Sequence, residues 1–73
     1  SRVAHIKTAR QIAMFIMSRD LQMSTTKIAN EVGLKDHTTA MHGIKKIETD
    51  TKTDFVLRDQ LNEIRDLLNN GIV

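Results

Sequence analysis

The feature that most constrains the fold is the scarcity of residues that interrupt helices. The chain of 73 residues contains no proline and three glycines. Proline lacks the amide hydrogen that a helix interior needs, and glycine loses the most backbone entropy when a helix holds it. With so few interruptions the chain is predicted to be mostly helical, and its length allows one small domain. We therefore expect an all-α fold, a small helical bundle formed by residues 1–73.

The first two predicted segments are a basic loop and a helix. The loop covers residues 1–7, contains Arg2, and is expected to be extended or mobile. The helix is predicted over residues 8–21, where Ile12 and Ile16 have the spacing of one helix face.

Two short helices are predicted next, over residues 24–33 and 36–49. Ser24 and Asp36 are suited to cap them, because their side-chain oxygens accept hydrogen bonds from the free amides at a helix start. Gly33 suits the left-handed conformation that commonly ends a helix. Two short helices joined by a glycine turn have the proportions of a helix-turn-helix, whose second helix enters the major groove of DNA.

The last predicted helix spans residues 54–69 and has a regular apolar stripe. The stripe residues recur at intervals of four, three and four: Leu57, Leu61, Ile64 and Leu68. Such a stripe serves either the core or a groove on a partner protein. A helical protein-interaction module without sequence-specific DNA binding is therefore the alternative to a DNA-binding domain.

The charge pattern and the composition narrow the class of protein. Residues 1–48 contain eight Lys or Arg against four Asp or Glu, and residues 49–73 contain three against five. A basic front half suggests contact with a polyanion, although charge alone does not decide between the classes. The absence of cysteine removes disulfides and thiolate chemistry, and it indicates a reducing, cytoplasmic setting. The longest apolar run, residues 12–17, is too short for a membrane span.

No group of residues in the sequence suggests catalysis or metal binding, so the chain is not expected to be an enzyme. It contains no cysteine or tyrosine, and no pair of carboxylates combined with a Lys or His in the way that catalysis requires. His37 and His42 are five residues apart, which places them about 140° apart on a helix, too far to share a metal ion easily. We predict no metal site and no cofactor for this chain.

The residues around the predicted turn carry a resemblance to a known family. Arg10-Gln11-Ile12-Ala13-Met14 is followed by Ser24, Ile28 and Gly33, and then by Lys35-Asp36-His37-Thr38-Thr39-Ala40-Met41-His42-Gly43. This pattern resembles the DNA-binding domain of the DnaA family of bacterial replication initiators. The family's recognition helix begins with Arg or Lys, then Asp, His, Thr or Ser, and Thr. The resemblance covers about residues 2–47 and implies a helical bundle of the Trp-repressor type.

The resemblance also implies which residues contact DNA. One set is similar to the family's base-reading residues, with the first of them entering the minor groove from the basic loop: Arg2, Asp36, His37 and Thr38. A second set is similar to residues that contact phosphates or the DNA backbone: Arg10, Gln11, Ser24, Thr25, Thr26, Lys35, Thr39, His42 and Lys46. The implied partner is double-stranded DNA at the replication origin, in short asymmetric boxes close to TTATCCACA.

The family's larger architecture adds expectations about the full-length protein. In the whole initiator this domain follows an ATP-binding module of the AAA+ class, and the full-length protein self-assembles on the origin. This chain has no glycine-rich phosphate loop, so ATP and magnesium are expected only on such an upstream module. The family commonly places a carboxylate three residues after the serine that opens the second helix. Lys27 occupies that position here, so only the Ser24 hydroxyl is expected to cap the helix.

Overall fold

The computed structural model describes the backbone of residues 2–71 and the side chains of residues 5–71. Within that part of the chain there are four helices and no strand: α1 (Arg2–Arg19), α2 (Thr25–Glu31), α3 (His37–Asp50) and α4 (Phe55–Asn69). The predicted all-α bundle is confirmed, and α2, the turn after it and α3 form its helix-turn-helix.

The beginning of the chain differs from the prediction. Residues 1–7 are predicted as a loop, but the backbone is helical from Arg2 onward and continues into the rest of α1. No glycine or proline separates these residues from the helix that follows, so nothing in their sequence interrupts it. The helix therefore propagates back to Arg2, and the loop prediction is wrong for residues 2–7.

The end of α1 also differs, because the helix stops at Arg19 rather than at residue 21. Gln22 has a φ of 54°, a left-handed conformation that turns the chain out of the helix. The Met23 amide then donates a hydrogen bond to the Met17 carbonyl at 3.0 Å. One of the free carbonyls at the helix end is thereby satisfied across the reversal of the chain.

The core of the molecule depends on a close approach of α1 and α3. The approach occurs at Gly43, where an added Cβ would lie 2.9 Å from the Met14 Cε and 3.2 Å from the Gln11 Cγ. Both distances are shorter than ordinary carbon contacts, so a glycine allows the two helices to lie this close. The buried apolar residues come from all four helices: Ile12, Met14, Phe15, Ile16, Ile28, Ala29, Ala40, Ile44, Ile47, Leu57 and Leu61.

Two kinds of contact hold α4 on the bundle. Leu57 and Leu61 are buried in the shared core. The Arg65 guanidinium donates two hydrogen bonds of 2.8 Å to the Asp20 carboxylate, and it lies 5.5 Å from the centre of the Phe15 ring. A bidentate pair that also stacks on an aromatic ring fixes the orientation of α4 more specifically than apolar burial alone.

The predicted apolar stripe of α4 is only partly buried. Ile64 packs against the core from a half-buried position, whereas Leu68 is 62% exposed. Leu68 lies with Leu21 in an apolar groove of about 280 Å³ that α1 and α4 line together. The first half of the stripe therefore stabilises the bundle, while its last residue faces solvent.

The difference between the two halves of the stripe can be measured. Leu61→Ala is expected to lower the free energy of unfolding by about 2–5 kcal/mol, because it leaves a cavity in the core. Leu68→Ala is the matched control on the same helix and should change stability by no more than about 0.5 kcal/mol. Chemical denaturation followed by circular dichroism measures both variants. Similar losses for the two would contradict the placement of Leu61 in the core.

Candidate nucleic-acid interface

The turn of the helix-turn-helix is closed by backbone hydrogen bonds around Gly33. This residue has a φ of 76°, a left-handed conformation that glycine adopts without a steric penalty. The Leu34 amide donates to the Ala29 carbonyl at 2.8 Å, and the Gly33 amide donates to the Asn30 carbonyl at 3.3 Å. This pair of bonds is the usual way in which a glycine ends a helix. The predicted role of Gly33 is confirmed.

Asp36 determines where α3 begins. Its backbone is extended, and its Oδ1 accepts a hydrogen bond of 2.8 Å from the Thr38 amide. The predicted N-cap is therefore confirmed, and it satisfies an amide that has no partner within the helix. Because the cap sets the helix start, Lys35 and Asp36 precede the first turn, and His37, Thr38 and Thr39 form it.

The same cap keeps the Asp36 carboxylate ionised. The Thr38 amide, and after it the Thr38 hydroxyl, lower the pKa of the Asp36 carboxyl below its usual value. Slight desolvation opposes this lowering, and the nearby His37 and His42 add to it. An ionised carboxylate only accepts hydrogen bonds, so its natural partner on a base edge is a donor such as the cytosine amino group.

Three of the predicted base-reading side chains lie together at this helix start. Asp36, His37 and Thr38 are all exposed, and the His37 Nδ1 lies 4.0 Å from the Asp36 Oδ1. A compact, exposed set of one carboxylate, one imidazole and one hydroxyl presents both donors and acceptors over a short length of helix.

A groove of about 350 Å³ brings together two of the predicted phosphate contacts. Three elements enclose the groove: the end of α1, the start of α2, and the middle of α3. Both Thr25 and His42 line it. Lys45 lines it as well, although it is not among the predicted contacts. The sequence contains a signal that could have identified Lys45. It lies three residues after His42 and seven after Thr38, and both spacings place residues on one helix face.

Four further predicted contacts on the helix-turn-helix lie at the surface. The Ser24 Oγ accepts a hydrogen bond of 3.2 Å from the Lys27 amide, so the hydroxyl cap expected for α2 is confirmed. Thr26, Lys35 and Thr39 are also exposed. Contact of these four residues with phosphate stays a prediction.

Two predicted phosphate contacts have other partners within the chain. Gln11 is 9% exposed and packs against Gly43 where α1 meets α3, which is the position of a packing residue. The Lys46 Nζ donates a hydrogen bond of 2.9 Å to the Asp50 Oδ2 one helical turn further along. Contact of either residue with DNA stays a prediction.

The remaining predicted contacts are arginines of α1. Arg10 is exposed. The backbone of Arg2 belongs to the first turn of α1, but its side chain lies outside the described residues. The two arginines are eight residues apart, about 12 Å along the helix axis. Entry of Arg2 into a minor groove stays a prediction.

The described part of the chain contains neither a cluster of metal-ligating side chains nor a helix suited to cross a membrane. No three His, Asp or Glu side chains there are close enough together to hold a metal ion. None of the helices there has the length and apolar character that crossing a membrane requires.

Comparison with known proteins identifies the family. Residues 1–47 match the family model described as the bacterial dnaA protein helix-turn-helix. The chain belongs to this DnaA helix-turn-helix family. The matched residues include α1, α2, the turn around Gly33 and most of α3, which are the elements that position the exposed helix start at Asp36.

Curated relatives extend the match toward the end of the chain. The chromosomal replication initiator protein DnaA of Limosilactobacillus reuteri (strain DSM 20016) is 44% identical over 64 residues, which cover 88% of this chain and 14% of that protein. The DnaA proteins of Crocosphaera subtropica and Rickettsia rickettsii are 41% and 38% identical over 69 residues, or 94% of this chain and 15% of each relative. The chain therefore spans about one seventh of the length of these relatives. No solved structure matches the chain.

Two substitutions at Asp36 separate the charge of the cap from its hydrogen bond. Asp36→Ala should lower Tm more than Asp36→Asn, because asparagine keeps an oxygen that accepts from the Thr38 amide. The folded-state pKa of Asp36 is lowered, so the charge stabilises the fold above the unfolded pKa and loses this effect as pH falls through the folded value. The stability difference between wild type and Asp36→Asn should therefore shrink below about pH 4. Thermal unfolding from neutral to acidic pH measures it, and a difference that does not change with pH would contradict the assigned role of the charge.

Proposed function

We propose that the chain binds double-stranded DNA sequence-specifically, as the origin-recognition domain of a DnaA-type replication initiator whose targets are boxes close to TTATCCACA. The observation that carries the proposal is the Asp36 cap, because it fixes the helix start where the exposed side chains of Asp36, His37 and Thr38 lie together. In a helix-turn-helix, this end of the second helix meets base edges in the major groove. Membership of the DnaA helix-turn-helix family supports the same function.

The three side chains offer different chemistry to a base edge. Asp36 accepts a hydrogen bond from a cytosine amino group, and a neutral His37 donates with one ring nitrogen and accepts with the other. Thr38 offers a methyl group to a thymine methyl and a hydroxyl to a polar group of a base edge. Because each group favours a different base edge, the set distinguishes one sequence from another.

Contacts with the DNA backbone hold α3 in register. Arg10 on α1, Thr25 and Thr26 at the start of α2, and His42 on α3 are the surface groups proposed for this role. Such contacts position the protein without reading sequence, and they make affinity depend on salt. Arg2 would add a preference for a narrow, A·T-rich minor groove.

In this proposal the chain binds DNA and carries out no chemistry. The described residues would hold no cofactor. ATP and magnesium belong to an upstream AAA+ module of the full-length initiator, which self-assembles on the origin in the cytoplasm. This chain spans 14% of the Limosilactobacillus reuteri relative, so the upstream module and the assembly would belong to the rest of such a protein.

One observation favours a second candidate function, a protein-interaction module that uses α4. The end of that helix leaves Leu67 and Leu68 exposed. Adjacent exposed apolar side chains on a helix are typical of a contact with another protein. The two functions differ in a direct measurement, since only the first requires a salt-sensitive affinity that distinguishes an origin box from a scrambled duplex.

Removal of the base-reading side chains tests the first function. His37→Ala and Thr38→Ala should each weaken binding to a TTATCCACA duplex by about 1–3 kcal/mol, the usual contribution of a good base contact. Binding to a scrambled duplex should fall much less, because attraction to phosphate does not depend on sequence. Fluorescence anisotropy titrations of both duplexes at two salt concentrations give the four affinities.

Thr53→Ala is the matched control, because Thr53 is an exposed threonine in the turn between α3 and α4. This variant should bind both duplexes as the wild type does. Circular dichroism checks that every variant keeps its helices. A His37 or Thr38 variant that stays helical and still discriminates fully between the duplexes would show that α3 is not the reading element.

A further inference from the structure

Two neighbouring lysines of α3 lie on different sides of the helix. The inward side is defined by the buried residues Ala40, Gly43, Ile44 and Ile47. At about 100° per residue, Lys45 lies about 20° from Thr38 around the helix axis, whereas Lys46 lies about 80° from it. Lys45 therefore shares the outward face with a residue of the proposed reading set, and Lys46 lies on the flank.

The ion pairs of the described residues also distinguish the two lysines. The Lys46 ammonium lies 2.9 Å from a carboxylate oxygen of Asp50. Lys45 is exposed and forms no ion pair with any described residue. Its ammonium is therefore available to an external anion without first leaving an internal partner.

A second ion pair reduces the negative charge beside Lys45. Glu48 lies three residues further along α3 and lines the same groove, so its carboxylate would repel an anion bound there. The Arg19 guanidinium, at the end of α1, donates a hydrogen bond of 2.7 Å to this carboxylate. Because Arg19 balances Glu48, Lys45 contributes a net positive charge to the groove that Thr25 and His42 line with it.

We propose that Lys45 binds a backbone phosphate of double-stranded DNA from this groove, while Lys46 stays paired with Asp50. Lys45 lies seven residues beyond Thr38, about 10 Å further along the helix axis. That position is past the first turns of the recognition helix, which meet the base edges, so the strand backbone is the DNA group it reaches. A compact ammonium on a flexible stem binds phosphate as a point charge. The inference rests on the proposed function, since it concerns the same DNA.

The test compares Lys45→Gln with Lys46→Gln, a matched pair of charge removals on one helix. Each variant is titrated against the TTATCCACA duplex and a scrambled duplex over a series of salt concentrations, with circular dichroism as the folding control. Lys45→Gln should weaken both duplexes by the same factor and lower the log–log salt slope by about 0.9, the value for one phosphate contact. Lys46→Gln should leave the slope unchanged.

Three results would overturn the inference. An unchanged slope for Lys45→Gln would mean that this residue binds no phosphate. A loss confined to the TTATCCACA duplex would mean that it reads a base, and a lower slope for both variants would mean that Lys46 leaves Asp50 on binding. Failure of the proposed function is seen separately, because the wild type would then bind the two duplexes equally, whatever the slopes of the variants.

Discussion

The packing of α3 against α1 is the constraint on which the rest of the interface depends. The two helices meet at Gly43, where a Cβ would crowd the side chains of Met14 and Gln11. Burial of Gly43 and its neighbours Ala40, Ile44 and Ile47 fixes the rotation of α3 about its own axis. The residues on its outward face are thereby fixed as well. Thr38, His42 and Lys45, which are proposed to meet DNA, lie on the opposite side of the same helix, and Asp36 and His37 lie at its exposed start. One buried stripe thus determines both the core and the orientation of the binding surface.

Local signals predicted the helix-turn-helix well, because short-range hydrogen bonds build it. Ser24 and Asp36 cap the starts of α2 and α3 as expected. Gly33 adopts the left-handed conformation that its position after α2 predicts. In each case a single residue type satisfies a specific need of the backbone, so the sequence alone is informative.

Features that depend on distant partners were not predictable in the same way. The pairing of Arg65 with Asp20 joins residues 45 positions apart, and no periodicity in the sequence indicates it. The burial of Gln11 follows from its contact with Gly43, which only the packed helices reveal. The regular stripe of α4 did not show that Leu68 would face solvent, because burial depends on which neighbours the packed bundle supplies. At the other end of α1, residues 1–7 were predicted to be extended or mobile, but no glycine or proline interrupts them and the helix continues back to Arg2.

A nuclear magnetic resonance titration of the isotope-labelled chain tests the central claim, that the start of α3 reads DNA, most directly. The amide signals are followed as a TTATCCACA duplex is added, and a scrambled duplex at the same salt concentration is the comparison. We predict that the largest changes specific to the TTATCCACA duplex fall in residues 35–39 at the start of α3, and that α4 changes little. The largest changes in α4, or identical changes with both duplexes, would contradict the account.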